Sequence, residues 1–292
     1  MHRYKFMGRI VTSGLALFAL VSTALLMSVA PLRAESDVKV EWLTWGFYRI
    51  TSPGGKVILI NPWYDNFDGG FTLDDVPEGD IILITSGHFD EVGNALQVGA
   101  KTGATIVATH EVVAQTLRQR EGTGFFDPIL FEGAEIPVKM VQPSSLFTID
   151  GITIRVVNSF HGDWNSGGAA LGYFVTMENG FTVYYSGGTD LTLDMKLWGE
   201  LFQPDAAILY YASDPDPRTV AMTAKFLSES NPNLKTVMPQ HQPLNPMEGM
   251  ATPADLGQAM ADLGVTAEAA RRLVKRAVNT VRENAPAAFD AA

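Results

Sequence analysis

The sequence predicts an α/β protein with two β-rich halves, each flanked by helices. Two observations carry that prediction. Short strand signals dominate the first half and return over residues 136–186, while strand–helix–strand patterns follow each β-rich stretch. The chain has 292 residues and a hydrophobic fraction of 46%, enough for a sizeable core. No internal repeat or low-complexity linker interrupts it, so residues 35–292 are expected to form a single domain.

The N-terminus is of a different material. Arg3, Lys5 and Arg9 precede an apolar run from Ile10 to Ala30, closed by "PLRAES". A basic head, an apolar middle and a small residue before the break describe a signal peptide over residues 1–34, cut after Ala34. The run is also about long enough to span a bilayer, so an uncleaved membrane anchor is the alternative. Either way the rest of the chain is expected to work outside the cytoplasm, in the periplasm or secreted. Residues 1–34 hold four basic side chains and no acidic ones, so their removal takes the formal charge from −11 to −15. Such an acidic domain repels nucleic acid and anionic membrane, which leaves a small-molecule substrate as the expected partner. A membrane contact is expected only if the N-terminal segment stays attached, and the sequence does not specify an oligomeric state.

The strands come first. "VKVEWLT", "FYRIT" and "KVILIN" follow one another across turn residues such as Pro53-Gly54-Gly55. "DIILIT" then gives way to a helical pattern from Val92 to Lys101, a strand at "ATIVAT" and a helix over "EVVAQTLRQR", which implies a parallel crossover under a helical layer. The second β-rich stretch contains "IPVKMV", "LFTIDGITIRVVN" and "LGYFVTMENGFTVYYS". Its Asp150-Gly151 and Asn179-Gly180 joints are strong hairpin signals. "AAILYY", a helix over "RTVAMTAKFLSES", the strand "KTVMP" and a last amphipathic helix from Thr266 to about Glu283 complete the order.

The chain has no cysteine, which excludes disulfides, thiolate ligands and a cysteine nucleophile. Any metal must use histidine, carboxylate, backbone or water, which points to zinc, manganese or iron. Of the five histidines, His2 lies in the leader, and helix-start capping accounts for His110. His88, His161 and His241 each follow a strand, where sheets of this kind collect ligands. Each also reads as a hydrogen-bonded loop residue.

"ITSGHFDEVG", a strand followed by T-x-x-H-x-D and a helix, resembles the metallo-β-lactamase superfamily, whose signature there is H-x-H-x-D-H. "VVNSFHGD" is similar to its strand-end histidine motif, "VYYSGGTDL" to its Y-x-G-D-T segment, and "QPDAAIL" and "TVMPQH" to its last strands and final histidine. "VEWLTWGFYRI" and "GGKVILINPW" resemble the opening of the branch containing ascorbate-6-phosphate lactonase, with Asn61 where an aspartate is usual. The resemblance spans residues 38–245 and implies a four-layer αββα sandwich.

It also implies a site, with departures. Ser86, His88 and His161 match the ligands of the first metal, one imidazole being replaced. Asp90, Glu91 and His241 match those of the second, with a carboxylate in place of an imidazole. Gly188 stands where the bridging aspartate belongs, and Asp190 is two residues further on. Neutral serine is a poor ligand, and loss of a bridging carboxylate disfavours two cations side by side. The implied centre is therefore mononuclear, one divalent metal per chain, held by His88, Asp90, Glu91, His161 and His241. Two carboxylates and an imidazole suit manganese or iron better than zinc.

Asp90 and Glu91 are the candidate catalytic residues, positioning water when not ligating. The implied reaction is hydrolysis of a lactone, ester or phosphoester. Two alternatives stand beside it: a pseudoenzyme that binds a small molecule or protein in the former cleft, and a membrane-anchored structural protein. Trp45, Trp63 and Trp164 could line a pocket or pack at loop bases, and Asp163 could orient His161 or cap its turn.

Overall fold

The computed structural model describes residues 38–118, 127–161, 168–212, 216–243 and 248–265. The leader, the helix expected from Thr266, Asp163 and Trp164 lie outside them.

Two six-stranded sheets form the centre. In the first, β1 (Lys39–Thr44), β2 (Phe47–Thr51) and β3 (Val57–Ile60) run antiparallel, and β4 (Ile81–Leu83), β5 (Thr105–Thr109) and β8 (Val138–Val141) continue parallel in the order β1-β2-β3-β4-β5-β8. A small hairpin of β6 (Ile129–Phe131) and β7 (Ala134–Ile136) sits apart. The second sheet mirrors the first in pattern. Strands β9 (Leu146–Ile149), β10 (Ile152–Asn158), β11 (Leu171–Thr176) and β12 (Thr182–Tyr185) are antiparallel, and β13 (Ala206–Tyr210) and β14 (Thr236–Gln240) add parallel, giving β14-β13-β12-β11-β10-β9.

Alternation along the strands decides the layering. Ile50, Ile58, Ile60, Ile81 and Leu83 of the first sheet meet Ile154, Val156, Tyr173, Val175 and Ile208 of the second in one buried core. The opposite face of the first sheet, with Leu59, Ile82 and Ile106, packs against α2 (Ala95–Thr102) and a π-helical stretch, Val112–Leu117. The opposite face of the second, with Phe174, Tyr184, Ala207 and Leu209, is covered by α3 (Asp194–Phe202), α4 (Pro217–Ser228) and α5 (Pro253–Asp262). This is the four-layer αββα sandwich.

Helices α3 and α5 stand where the sequence prediction placed none, and three joints also differ from it. The helix expected from Val92 is two pieces, α1 (Phe89–Val92) and α2, broken at Gly93 with φ +47. A Cβ there would stand 2.7 Å from the Trp63 Cα, so the close approach of the Trp63 backbone sets the break. "IPVKMV" is divided by Pro137 between β7 and β8. Asp150 and Gly151 form a two-residue turn with φ +51 and +85, whereas at Asn179-Gly180 only the glycine is left-handed, at φ +85. There the Gly180 N–H bonds to the Met177 carbonyl at 2.9 Å and the Met177 N–H to the Phe181 carbonyl at 2.8 Å, a longer loop.

Hydrogen bonds tie the sheets together at one end. The Leu171 N–H reaches the Thr85 carbonyl at 2.7 Å, Tyr173 OH the Ile84 carbonyl at 2.6 Å and Tyr48 OH the Pro239 carbonyl at 2.5 Å. All the candidate site residues lie at that end.

Candidate functional site

Three strand ends carry the cluster. After β4 the chain turns through Ser86 to His88, which is the N-cap of α1 with extended backbone, φ −66 and ψ 146. A helix of one turn then presents Asp90 and Glu91. His161 follows β10, and His241 follows β14 with left-handed backbone, φ +61. Trp45 and Asn61, at the ends of β1 and β3, are also left-handed at φ +45 and +47. Non-glycine residues held in this region cost free energy and collect where function requires a geometry. Here all three approach one buried network.

That network is centred on Gln240. Its Nε2 donates to the Gly187 carbonyl at 3.0 Å and the Ser186 Oγ at 3.3 Å. A backbone carbonyl can only accept, so the amide cannot be turned the other way. Gln240 Oε1 therefore faces His241 Nδ1, 2.9 Å away, and also lies within hydrogen-bond reach of Tyr185 OH. Tyr185 in turn meets the Gly46 carbonyl at 2.7 Å and receives the Asn61 Nδ2 at 3.3 Å. Because the amide oxygen accepts, the His241 proton sits on Nδ1, and its Nε2 is directed at Asp90 Oδ2, 3.3 Å away, and Glu91 Oε1, 3.8 Å away. Three acceptor atoms thus face one another. Only a cation between them, a proton or a metal ion, makes that arrangement favourable.

The other half of the cluster repeats the pattern. His161 Nε2 and His88 Nδ1 are 3.2 Å apart. That is the length of an N–H···N hydrogen bond, and equally the separation, about 3.3 Å, of two nitrogens bound to one tetrahedral cation at 2.0–2.1 Å. Glu91 lies between the halves. It is 1% exposed, and its Oε2 has no hydrogen-bond partner among the described residues, a cost that a buried carboxylate incurs only for a missing partner. A Cβ at Gly188 would be 3.2 Å from His161 Nε2 and 3.3 Å from Glu91 Oε1, which places the glycine at the middle of the group.

The electrostatics agree with the geometry. Burial pushes the Asp90 carboxyl up, but the hydrogen bond and charge of His241, its own backbone N–H and His88 outweigh that and hold it below the ordinary carboxylate value. Burial pulls the His161 imidazole down, with His88 and His241 adding to the shift and Glu91 and Asp90 opposing it. At Asp90 it is a protonated His241 that stands in the place of a cation and favours the ionised carboxylate, while the lowering at His161 favours its neutral, ligating form. Among the described residues no three of these side chains close around one point as a finished cage. The close approaches are pairwise. In kind, three imidazoles and two carboxylates are donors that a divalent cation takes.

His88, Asp90, Glu91, His161 and His241 are therefore brought together. Ser86 is 2% exposed and its Oγ accepts the His88 N–H at 3.1 Å, so the hydroxyl is used in holding the turn. Asp190 is exposed, its Oδ1 accepting the Leu191 N–H at 2.7 Å, and it stays out of the cluster. Trp45 and Trp63 pack at a centroid distance of 5.7 Å, and Trp63 meets Phe67 and Phe89 edge-on at 5.3 and 5.4 Å, a wall beside α1. Sequence reasoning missed Gln240, Tyr185 and Tyr210. The Tyr210 ring lies 4.9 Å from that of His241 and 5.8 Å from that of His161. Gln240 was signalled only by adjacency to the strand-end histidine and Tyr185 by the "VYYSGG" turn, while Tyr210, at the end of β13, carried no such signal. His161 and Tyr210 also line a cavity of about 470 Å³.

A family model described as a beta-lactamase superfamily domain matches residues 56–274. A metal-dependent hydrolase of Rubrobacter xylanophilus is 31% identical over 241 residues, which cover 79% of this chain and 91% of that protein. A second, from Thermodesulfovibrio yellowstonii, is 29% identical over 76% of this chain and 85% of its own length. Among solved structures, Igni18, a metallo hydrolase from Ignicoccus hospitalis, superposes with a TM-score of 0.63 at 23% identity, covering 78% of this chain and 92% of that one. The metallo-beta-lactamase fold protein YhfI of Bacillus subtilis gives 0.52 at 15% identity, over 75% and 85%. These two likenesses concern the fold.

Proposed function

Since the chain belongs to the beta-lactamase superfamily, we propose that it is a metal-dependent hydrolase with one altered metal centre, held by His88, Asp90, Glu91, His161 and His241 and acting on a lactone, ester or phosphoester. The observation that carries this reading is the locked His241 ring, whose Nε2 faces the carboxylates of Asp90 and Glu91. A divalent cation held there would lower the pKa of a bound water and polarise the carbonyl or phosphoryl oxygen of the substrate.

The chain's own groups do the rest. Gln240 fixes the His241 tautomer. Asp90 and Glu91 supply the two negative charges that a divalent ion requires, in a set better matched to manganese or iron than to zinc. Glu91 Oε2, buried and unpartnered, is the atom placed to take a proton from the attacking water. Export rests on the basic head and apolar run before Glu35, and mass spectrometry of the native protein should find a terminus at Glu35.

Calorimetric titration of the full chain with manganese tests the centre. About one ion per chain should bind, and Glu91→Ala or His241→Ala should weaken binding by about 10-fold or more, since losing a ligand should at least match losing a group that orients one. The opposing reading, a cleft that binds without turnover, is favoured by Ser86, committed to the backbone, and by the bare Gly188. Micromolar metal failing to bind, with Glu91→Ala unchanged, would establish that reading instead.

A further inference from the structure

The metal-hydrolase reading leaves the substrate open between phosphoesters and carboxylic esters, and the cavity beside His161 separates them. It measures about 470 Å³, within the range of small-molecule sites, and shares His161 with the metal cluster. Its described lining contains the carboxylates of Asp190 and Asp216, the hydroxyls of Thr189, Thr219 and Thr223, and no lysine or arginine. Arg218, next but one to Asp216 in the chain, is exposed and not part of the wall. Asp190 and Asp216 are fixed in place. The first accepts the Leu191 N–H, and the second caps α4, accepting the Arg218 N–H at 3.2 Å and the Thr219 hydroxyl at 3.3 Å.

The charge balance then decides. Asp90 and Glu91 cancel a single divalent cation, so the centre offers no net positive charge to a phosphoryl group. Sites that cleave phosphoesters commonly clamp the anionic oxygens between two cations or with arginine, and neither is present among these described residues. A phosphoester would bring one or two negative charges to a cavity whose described wall carries two exposed carboxylates and no cationic side chain, a repulsion that solvent reduces but does not reverse. An uncharged ester or lactone meets no such opposition, and a cationic one gains from it.

We propose that this cavity is the substrate pocket and that Asp190 and Asp216 make the enzyme selective for uncharged or cationic carboxylic esters and lactones, against phosphoesters and carboxylate-bearing esters. The reaction is hydrolysis. A bond forms between the water oxygen and the acyl carbon, the acyl carbon–alkoxy bond breaks, and one water proton ends on the alcohol oxygen, so acid and alcohol are the products.

The test uses the full chain loaded with manganese and four probes: phenyl acetate, its para-trimethylammonium and para-carboxylate derivatives, and phenyl phosphate. The expected order of kcat/KM is cationic, neutral, anionic, with cationic over anionic by about 10-fold and no turnover of phenyl phosphate. In Asp190→Asn/Asp216→Asn, which keeps one acceptor oxygen at each position, enough for the Leu191 N–H and the helix cap, while removing both charges, that ratio should fall toward one. The same four compounds titrated into the loaded protein give their binding order independently of turnover. Binding in the expected order without hydrolysis would retain the pocket and refute the hydrolase reading. Equal or better binding or turnover of the anionic ester or phenyl phosphate, a ratio unchanged in the double variant, or no binding of any probe would overturn the pocket proposal.

Discussion

Gln240 performs with one amide what two residues would otherwise share. Its nitrogen is held by the Gly187 carbonyl, and its oxygen therefore dictates which nitrogen of His241 carries the proton. In Gln240→Leu, of similar size, nothing fixes that choice and the ring is free to present the wrong tautomer. Manganese affinity should drop roughly 10- to 100-fold, as for other groups that orient a ligating histidine. Circular dichroism should stay native if the loss is confined to the site. Calorimetry giving wild-type affinity would dismiss the orienting role. None of this was legible from residue types alone, because glutamine before histidine at a strand end is an ordinary pair. That His88, Asp90, Glu91, His161 and His241 would come together was legible from the resemblance of their motifs to the family's metal signature, with the three histidines marked out by their places at strand ends. Whether Ser86 still reached the centre could not be read. Its answer lies in a 3.1 Å bond to a backbone N–H that no spacing rule encodes.

At the scale of elements, alternation and turn residues were enough to order the strands, but tertiary contact set the breaks. Gly93 is the clearest case. Helical periodicity ran through it, whereas the Trp63 backbone passes where a side chain would begin. Gly93→Ala should destabilise the fold by about 2–4 kcal/mol, combining the left-handed strain with the clash, as chemical denaturation would measure. A change below 0.5 kcal/mol would mean that the loop between α1 and α2 yields easily. Helix α5 illustrates a signal passed over, since Thr252, Pro253 and Asp255 form a capping box with proline at the first turn. The β1–β2 pair holds a different device. Glu41, directly opposite Arg49 in register, accepts from its Nε at 2.8 Å and Nη2 at 3.0 Å, with Lys39 Nζ at 2.7 Å. Burial opposes ionisation of Glu41, but these cations prevail and depress its pKa below 4.5. A depressed folded-state value means stability that is full above the unfolded value and lost as pH falls through the folded one. Glu41→Gln should therefore cost about 1–3 kcal/mol near neutrality, and the gap from wild type should narrow in acid. A gap constant with pH would show that the pair is not ionic.

Across the whole molecule, the proposed centre would draw its ligands from both sheets. His88, Asp90 and Glu91 follow β4 of the first, and His161 and His241 follow β10 and β14 of the second. Hydrogen bonds such as Leu171 to Thr85 join the sheets at this end, while across the gap His241 Nε2 faces Asp90 Oδ2. A cation bound there joins the two halves of the fold through bonds that the unfolded chain cannot make together. Binding to the folded state alone stabilises by about 2.7 kcal/mol at a free concentration one hundred times the dissociation constant. For a domain of this size that is a rise of roughly 5–10 °C in the unfolding midpoint. Differential scanning calorimetry with manganese should show this rise, and a chelator should reverse it. His241→Ala should lose most of the rise, because the remaining ligands then come chiefly from one strand end of each sheet and the Nε2 donor between the carboxylates is gone. A rise of the same size in that variant would place the ion somewhere other than between the sheets.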